Sequence, residues 1–301
     1  MNDITEIAVT VDKGHITVIG ERLYAESIEF IRELVNNAYD ADAENVHIKI
    51  DSDSIRISDD GTGMDLAALK QYFNIGSQFK KSKKKTSRFK RVYIGEFGIG
   101  KFAALSICRT YELETTHSGK KIKVVFDKDE WHKDASSWSL PAVISDAAEG
   151  EKTGTAIRLK GLTRTFTADD LREKVIEATP LHEPDFKVYV NGIRVTCKEI
   201  PGKVFNYLEG TPSGTVSAEI IFAPLNVINE IKPGLEIRVK GVTVKRDHLG
   251  MESWGDIARR ITGRIFADFL ILTSDRTEFI KDTREYEDFM TAAENIKTRL
   301  R

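Results

Sequence analysis

The spacing of apolar positions predicts that the chain begins with short strands, an α-helix and a strand pair. Loose alternation indicates strands within the first twenty residues, and from about Arg22 to Ala43 apolar residues recur at helical spacing. Segments 46–50 and 54–58 then alternate with a period of two, and turn-prone residues separate them. The pattern therefore predicts a helix followed by two antiparallel strands.

Further along, strands follow one another instead of alternating with helices. Strands are predicted at 109–115, 121–126, 137–144 and 155–159, and helices at 66–73, 102–108 and 168–178. This succession is typical of an α+β fold, a mixed and mostly antiparallel sheet covered by helices. The prolines near residues 180–184 mark the boundary between a first domain, 1–180, and a second domain, 181–301.

The second domain is predicted to be a smaller α/β unit. Asn191-Gly192 supplies the positive φ angles of a type I′ turn and predicts a hairpin between strands at 186–190 and 193–195. Further strands are expected at 216–222, 235–244 and 265–272, and a helix at 282–300. The helical pattern runs on to Arg301 without a capping glycine, which indicates that the chain is a piece of a longer protein.

Composition excludes several classes of protein. The 301 residues are 41% hydrophobic and 31% charged, with a net charge of −2, so neither a disordered chain nor a globally basic nucleic-acid binder is indicated. Two unpaired cysteines and scattered histidines predict neither a disulfide scaffold nor a structural zinc site. Without a long apolar run or signal peptide, a cytoplasmic protein with no membrane contact is expected.

One local segment is strongly basic. Between Lys80 and Arg91, eight of twelve residues are Lys or Arg, and almost none is apolar. Such a segment buries too little surface to order itself, so a mobile loop is predicted. Its charge is compatible with a solvated run that has no partner, or with contacts to nucleic-acid phosphates.

Three polar clusters are candidates for chemistry. On the first helix, Glu33, Asn37 and Asp40 fall within about a 60° arc, a face that taken alone is typical of a solvated helix surface. The segment 59–63 places a carboxylate at a strand end before two glycines, which let backbone approach a ligand, although a tight turn has the same sequence. The segment 95–101 places three glycines and a lysine before a helix, where backbone N–H groups favour phosphate.

The third cluster differs from a P-loop. Gly95-x-x-x-x-Gly100-Lys101 fits that motif up to its last position, where Phe102 replaces the serine or threonine that contacts Mg²⁺. Phenylalanine has no oxygen for a metal, and no hydrophobic strand that ends in an acidic residue lies at the place usual for a parallel βαβ array. The segment therefore resembles a P-loop but does not satisfy the complete motif.

Taken in order, four sequence boxes resemble the signature of the GHKL ATPase superfamily, which includes gyrase B, heat-shock protein 90, histidine kinases, MutL and MORC proteins. Each box is weak, and the specificity lies in their conjunction over about residues 22–160. The boxes are Glu33-x-x-x-Asn37-Ala38-x-Asp40-Ala41, Asp59-x-Gly61-x-Gly63, Gly95-x-x-Gly98-x-Gly100 and Thr153-Gly154-Thr155. The resemblance implies the Bergerat ATP-binding fold, ATP and Mg²⁺ as cofactors, and a lid at about 74–100.

The resemblance also implies a role for individual residues. Glu33 would be the general base that polarises the attacking water, and Asn37 would ligate Mg²⁺ with Asp40 nearby. Asp59 would accept a hydrogen bond from the adenine amino group, supported by Thr155. The remaining implied nucleotide contacts are Ala41, Gly61, Gly63 and Met64 around the base, and Gly95, Gly98, Ile99 and Gly100 around the phosphates. Lys101 would add a catalytic charge, although the family does not demand lysine there.

The second domain resembles in position the transducer of gyrase B, MutL and chaperone members, which sends a Lys or Arg to the γ-phosphate. Arg276 is the preferred candidate, ahead of Lys245 and Arg246, and a surface charge is the alternative for each. The outline resembles the MORC and heat-shock protein 90 branches, and Glu33 argues against a histidine kinase. The expected output is Mg²⁺-dependent ATP hydrolysis with an ATP-dependent homodimer. The alternative is a nucleotide-gated clamp on nucleic acid or a client protein, with little hydrolysis.

Overall fold

The computed structural model describes residues 26–74, 85–95, 104–133 and 139–301. Predictions for the first twenty residues, for 78–84, for the glycine box from 96 to 101 and for the start of the 102–108 helix lie outside these ranges. No helix in the described part of the chain is both long and apolar enough to cross a membrane.

Eight strands form the first sheet, and two of its helices begin and end where the sequence predicts. Helix α2 (Leu66–Phe73) begins after Asp65, whose carboxylate accepts the Ala68 N–H, and α4 (Ala168–Ala178) begins at a reciprocal capping box between Thr167 and Asp170. The elements are α1 (Glu29–Asp40), β1 (Asn45–Ile50), β2 (Ser54–Asp59), α2 (Leu66–Phe73), β3 (Cys108–His117), β4 (Lys120–Asp127), α3 (Lys128–Lys133), β5 (Ala142–Asp146), β6 (Gly154–Leu162), α4 (Ala168–Ala178), β7 (Lys187–Val190) and β8 (Ile193–Arg194).

The strand order of this sheet is β5-β4-β3-β6-β2-β1-β7-β8. The predicted pair β1–β2 is antiparallel, with Ile48 opposite Ile57. The Asn-Gly hairpin β7–β8 also forms, but β7 pairs in parallel with β1, so the sheet continues past residue 180. Parallel pairing between strands so far apart in sequence leaves no local signal, which is why the pattern alone placed this hairpin in the second domain.

A second sheet has five strands in the order β12 (Val242–Asp247), β11 (Gly234–Val239), β13 (Ile261–Phe266), β10 (Gly214–Phe222) and β9 (Lys203–Thr211). The predicted long strand 235–244 is a hairpin that turns at Lys240-Gly241, where both residues have positive φ. Its elements are β9 (Lys203–Thr211), β10 (Gly214–Phe222), β11 (Gly234–Val239), β12 (Val242–Asp247), β13 (Ile261–Phe266) and α5 (Arg284–Leu300), with 3₁₀ turns at Leu225–Val227 and Met251–Arg260. The α+β class predicted from the pattern is confirmed.

Helix α1 is buried on nearly every side, which corrects the expectation of a solvated face. Eleven of its twelve residues are buried, and Asn37 alone among them is partly exposed. Ile31 and Leu34 pack into the core of the first sheet. On other sides, Asn36 donates to the Ala178 carbonyl at the end of α4, and Arg32 contacts the second domain. Layers on both sides enclose the helix, so its charged residues are buried as well.

The described part of the basic segment is anchored at Thr86 and Arg91, whereas Lys85, Arg88 and Lys90 are exposed. Arg91 is buried and donates to the carbonyls of Tyr39, Ala43 and Asp185, at 2.7 to 3.2 Å. Its guanidinium also lies over the Phe89 ring, 4.4 Å from the centroid. A planar guanidinium with several donors suits this role better than a lysine would. The prediction of a mobile loop is therefore wrong for residues 85–91.

Candidate functional site

Two of the predicted site residues, Glu33 and Asn37, lie on helix α1. Glu33 is only 7% exposed, and its carboxylate lies 3.9 Å from the Arg32 guanidinium. Asn37, one turn further along, is the partly exposed residue of the helix. A carboxylate and an amide oxygen at this spacing project from the same face, so the helix presents both to one space. The predicted convergence of these two residues is therefore possible without any change in the backbone.

Asp59 ends β2 and faces the same side of the sheet as α1. Its Oδ1 accepts the Gly61 N–H at 2.9 Å and the Thr155 N–H at 3.3 Å. Within the described residues, no donor contacts Oδ2. Because one oxygen holds the backbone, the carboxylate has a fixed orientation and its second oxygen can accept from a ligand.

The adjacent aspartates, Asp59 and Asp60, have opposite electrostatic environments. Burial raises the pKa of Asp59 to about 7, against the hydrogen bonds from Gly61 and Thr155. Asp59 nevertheless keeps some solvent contact. For Asp60, burial is outweighed by hydrogen bonds from Asn45 and Glu44, which lower the pKa. Asp60 therefore holds the start of β1, whereas Asp59 is poorly hydrated and incompletely bonded.

The glycine turn after Asp59 contacts the end of α1 directly. A Cβ added at Gly61 would lie 2.7 Å from the Ala41 carbonyl oxygen, and that oxygen accepts the Thr62 N–H at 2.9 Å. Gly63 has a φ of 65°, and a Cβ there would lie 2.0 Å from the Thr116 carbonyl oxygen. Side chains are excluded at both glycines, so the turn can approach the end of α1 and strand β3 closely. The first two sequence boxes thus meet through backbone.

The fourth box meets the second on neighbouring strands. Thr155 lies opposite Asp59 in the β2–β6 pair, and a Cβ at Gly154 would lie 2.1 Å from the Asp59 carbonyl oxygen. Thr115, on β3, was not predicted. Its hydroxyl accepts the Met64 N–H at 2.8 Å and lies 3.2 Å from the Thr155 hydroxyl. Thr115 therefore ties Met64 to Thr155, and a single threonine inside a strand pattern offers no signal for such a role.

Asp40 positions the start of the third box. Its two carboxylate oxygens accept the N–H groups of Ile94 and Gly95, each at 2.9 Å. The Gly95 N–H is therefore directed to Asp40 and not toward a phosphate, which differs from the implied contact. The other predicted members of this box, Gly98, Ile99, Gly100 and Lys101, lie outside the described residues.

The loop that carries Arg276 lies against α1. Arg32 donates to the carbonyl oxygens of Asp275 at 2.6 Å and of Arg276 at 3.3 Å. Arg276 is 8% exposed and lines a cleft of about 390 Å³ together with Arg32 and Asn36. The surface-charge alternative is therefore wrong for Arg276. Arg32 is the contact that the sequence did not reveal, since nothing in the helix pattern distinguishes it from a solvated arginine.

Lys245 and Arg246, the two other candidates, form their ion pairs within the second domain. Lys245 pairs with Glu278 at 3.1 Å. Arg246 bonds Glu236 at 2.6 Å and the carbonyls of Lys232 and Gly234. Neither shares the contact between Arg276 and α1, which leaves Arg276 as the preferred candidate.

A comparison with models of known protein families identifies the family of this domain. The model for the "Histidine kinase-, DNA gyrase B-, and HSP90-like ATPase" family matches residues 26–156, from the turn before α1 to the start of β6. Residues 26–156 form a GHKL-type ATPase domain. The resemblance drawn from the four boxes is thereby confirmed, and a GHKL domain is a domain that binds ATP.

The GHKL domain and most of the second half are also similar to one curated protein. It is described as "Putative type II restriction enzyme HgiDII" from Herpetosiphon aurantiacus and is 26% identical over 312 aligned residues. The alignment covers 88% of this chain and 50% of that protein. The chain thus spans about half the length of this relative.

Proposed function

We propose that the chain is a Mg²⁺-dependent ATPase whose nucleotide state controls lid closure and the association of two copies. The observation that supports this most is the hydrogen bonding of Asp59. The Gly61 and Thr155 N–H groups bind one carboxylate oxygen, and the other keeps its acceptor capacity within the described residues. Such an oxygen suits a base that donates a hydrogen bond.

Asp59 favours adenine over guanine. Its Oδ2 can accept from the adenine amino group, whereas guanine would present a carbonyl oxygen to the same atom. Gly61 and Gly63 would shape the base site through the backbone, because the absence of side chains lets the turn pack against Ala41 and Thr116. The donor and acceptor pattern therefore fits ATP and opposes GTP.

The affinity for ATP is expected to fall in acid. Since Oδ1 of Asp59 accepts two N–H groups, a proton would add to Oδ2 and oppose the adenine donor. With a pKa of about 7, the ionised form is lost as pH falls through 7, and affinity should decline by about tenfold per unit below it. Titration with ATP at saturating Mg²⁺, which keeps the phosphates deprotonated, measures this. A constant affinity from pH 8 to pH 6 would contradict it.

Glu33 and Asn37 suit the phosphate end of the site. Asn37 offers an amide oxygen to a hard cation that keeps waters and phosphate oxygens as its other ligands. Bound Mg²⁺–ATP would supply a γ-phosphoryl group whose charge the cation offsets. Glu33 would accept a proton from the attacking water, and its burial excludes bulk solvent from that position. Lys101 and the N–H groups of Gly98 and Gly100 would complete the phosphate contacts.

The contact between the two halves supports coupling of nucleotide state to shape. Arg32 precedes Glu33 on α1 and holds the backbone of the Arg276 loop. In the proposed cycle, the Arg276 side chain reaches the γ-phosphate, so ATP would favour the closed arrangement and hydrolysis would release it. The MORC-like and heat-shock protein 90-like branches use this kind of cycle, and the chain is proposed to resemble them.

A second candidate function is a nucleotide-gated clamp on DNA with slow or no hydrolysis. The similarity to a protein described as a restriction enzyme favours DNA as the partner over a client protein. ATP binding would be common to both functions. Turnover of the wild-type chain, measured with Mg²⁺ in the presence and absence of DNA, separates them, because the clamp predicts slow or no turnover in both cases.

Association of two chains tests the proposed cycle. Sedimentation of the wild-type chain with Mg²⁺ and a non-hydrolysable ATP analogue is expected to give a dimer, and with ADP a monomer. The cycle predicts this difference because the γ-phosphate alone distinguishes the two ligands. Identical sedimentation with both nucleotides would contradict ATP-dependent association.

A further inference from the structure

The face of the first sheet that points away from α1 is open and basic. In β1, β2 and β6 the buried residues, such as Ile48, Ile57 and Ile157, point toward α1, and alternate residues point the other way. We call this second side the outer sheet face. It carries His47, Lys49, Arg56, Ser58, Ala156, Arg158 and Lys160 on these three strands.

Three cations lie in one row across the outer sheet face. Lys49 is directly opposite Arg56 in the β1–β2 pair, and Arg56 is directly opposite Arg158 in the β2–β6 pair. Neighbouring strands are about 4.8 Å apart, so the row places three positive charges within about 10 Å. Like charges in directly opposite positions destabilise a sheet, so folding alone does not explain the row.

The carboxylates of the outer sheet face are committed to other cations. Glu112, directly opposite Arg158 on β3, bonds Lys160 at 2.6 Å. Lys49 lies 3.7 Å from Asp51, and both side chains are largely exposed. Within the described ranges, no carboxylate forms an ion pair with Arg56 or Arg158. The two arginines therefore keep their charge available to an external anion.

Aromatic rings lie beside the row. His47 stacks on Tyr189 of β7, with ring centroids 4.7 Å apart and planes 12° from parallel. His47 is exposed, and Arg194 of β8 lies opposite Tyr189. The small residues Ser58 and Ala156 continue the His47 position across β2 and β6, which leaves a shallow floor next to the cations. A charged row beside exposed rings and a flat floor is the combination that binds unpaired nucleotides.

We propose that the outer sheet face binds a single strand of nucleic acid, with phosphates on Arg56, Arg158 and Lys49 and a base on His47. A single strand can lie flat on a broad sheet with its backbone along the row. A duplex suits this face less well, because its paired and stacked bases cannot stack on the His47 ring. The proposal does not depend on nucleotide binding, since this face is on the opposite side of the sheet from Asp59.

The test is the double substitution Arg56→Gln with Arg158→Gln. Binding of a fluorescein-labelled oligothymidylate is followed by anisotropy over a series of potassium chloride concentrations. Two lost phosphate contacts should weaken binding about 10- to 30-fold near 0.1 M salt and reduce the slope of log affinity against log salt by about 1.4. His47→Ala should weaken binding about fivefold or more and leave the slope unchanged, because stacking is insensitive to salt.

The matched control, Lys198→Gln with Arg259→Gln, removes the same charge from exposed positions in the second half. It should bind like the wild type. The melting temperature of the Arg56/Arg158 variant should equal or exceed that of the wild type, which separates lost binding from lost folding. An unchanged slope in that variant, an equal loss in the control, or tighter binding of a duplex of the same sequence would each overturn the proposal.

Discussion

Replacing Glu33 by glutamine is expected to slow ATP hydrolysis by about 10²- to 10⁴-fold and to leave ATP affinity nearly unchanged. Glutamine keeps the size and polarity of the side chain but cannot accept a proton from water. The buried position of Glu33 means that solvent cannot readily replace it as a base. Steady-state phosphate release and nucleotide affinity, measured on the same preparation, give the two values.

The matched control for this variant is Glu26→Gln. Glu26 precedes α1 and is largely exposed, with a distant contact to Lys174 at 3.9 Å. Its replacement should leave both turnover and affinity at wild-type values. If Glu33→Gln retains turnover within tenfold of the wild type, Glu33 is not the general base. If the wild type itself shows no turnover with Mg²⁺ and DNA, the clamp function is favoured.

Replacing Asp59 by asparagine is expected to weaken ATP binding by about 100-fold or more. The amide oxygen would take the place of Oδ1, which accepts from Gly61 and Thr155, so the amide NH₂ would point at the adenine amino group. The asparagine NH₂ and the adenine amino group are both donors, so the hydrogen bond between residue 59 and adenine is lost. The loss leaves a desolvated polar group without a partner, at a cost of about 3 kcal/mol in binding free energy. Competition of ATP and GTP against a fluorescent nucleotide should show that the preference for ATP disappears.

Asp60→Asn supplies the control for Asp59. The Asp60 carboxylate accepts from Glu44 and Asn45 and keeps a lowered pKa, so its replacement should reduce thermal stability. Nucleotide affinity should change little, because both carboxylate oxygens of Asp60 already accept hydrogen bonds from Glu44 and Asn45. Equal losses of affinity in the two variants would mean that Asp59 acts only through the fold.

Elements with local signals could be predicted from the sequence. Helices α2 and α4 follow side chains that cap their first turns, and β1 and β2 alternate around a turn. The four boxes identified the GHKL domain, and the second and fourth of them mark places where backbone must approach closely, at Gly61 and Gly154. Such steric requirements are local, and a single sequence records them.

Long-range contacts could not be predicted in this way. The burial of Arg91 depends on carbonyls from Tyr39, Ala43 and Asp185, and the position of the Arg276 loop depends on Arg32. These donors look like ordinary surface arginines in the pattern. The partner of Asp40 was likewise beyond sequence reasoning, because its carboxylate binds backbone N–H groups, which every residue type except proline carries.

The central claim is that Glu33, Asn37 and Asp59 converge on one adenine nucleotide, and titration calorimetry of the wild-type chain tests it most directly. A non-hydrolysable ATP analogue should bind at one site per chain, more tightly with Mg²⁺ than without it, and the corresponding GTP analogue should give no comparable heat. The absence of binding, or equal affinity for the two analogues, would contradict the account.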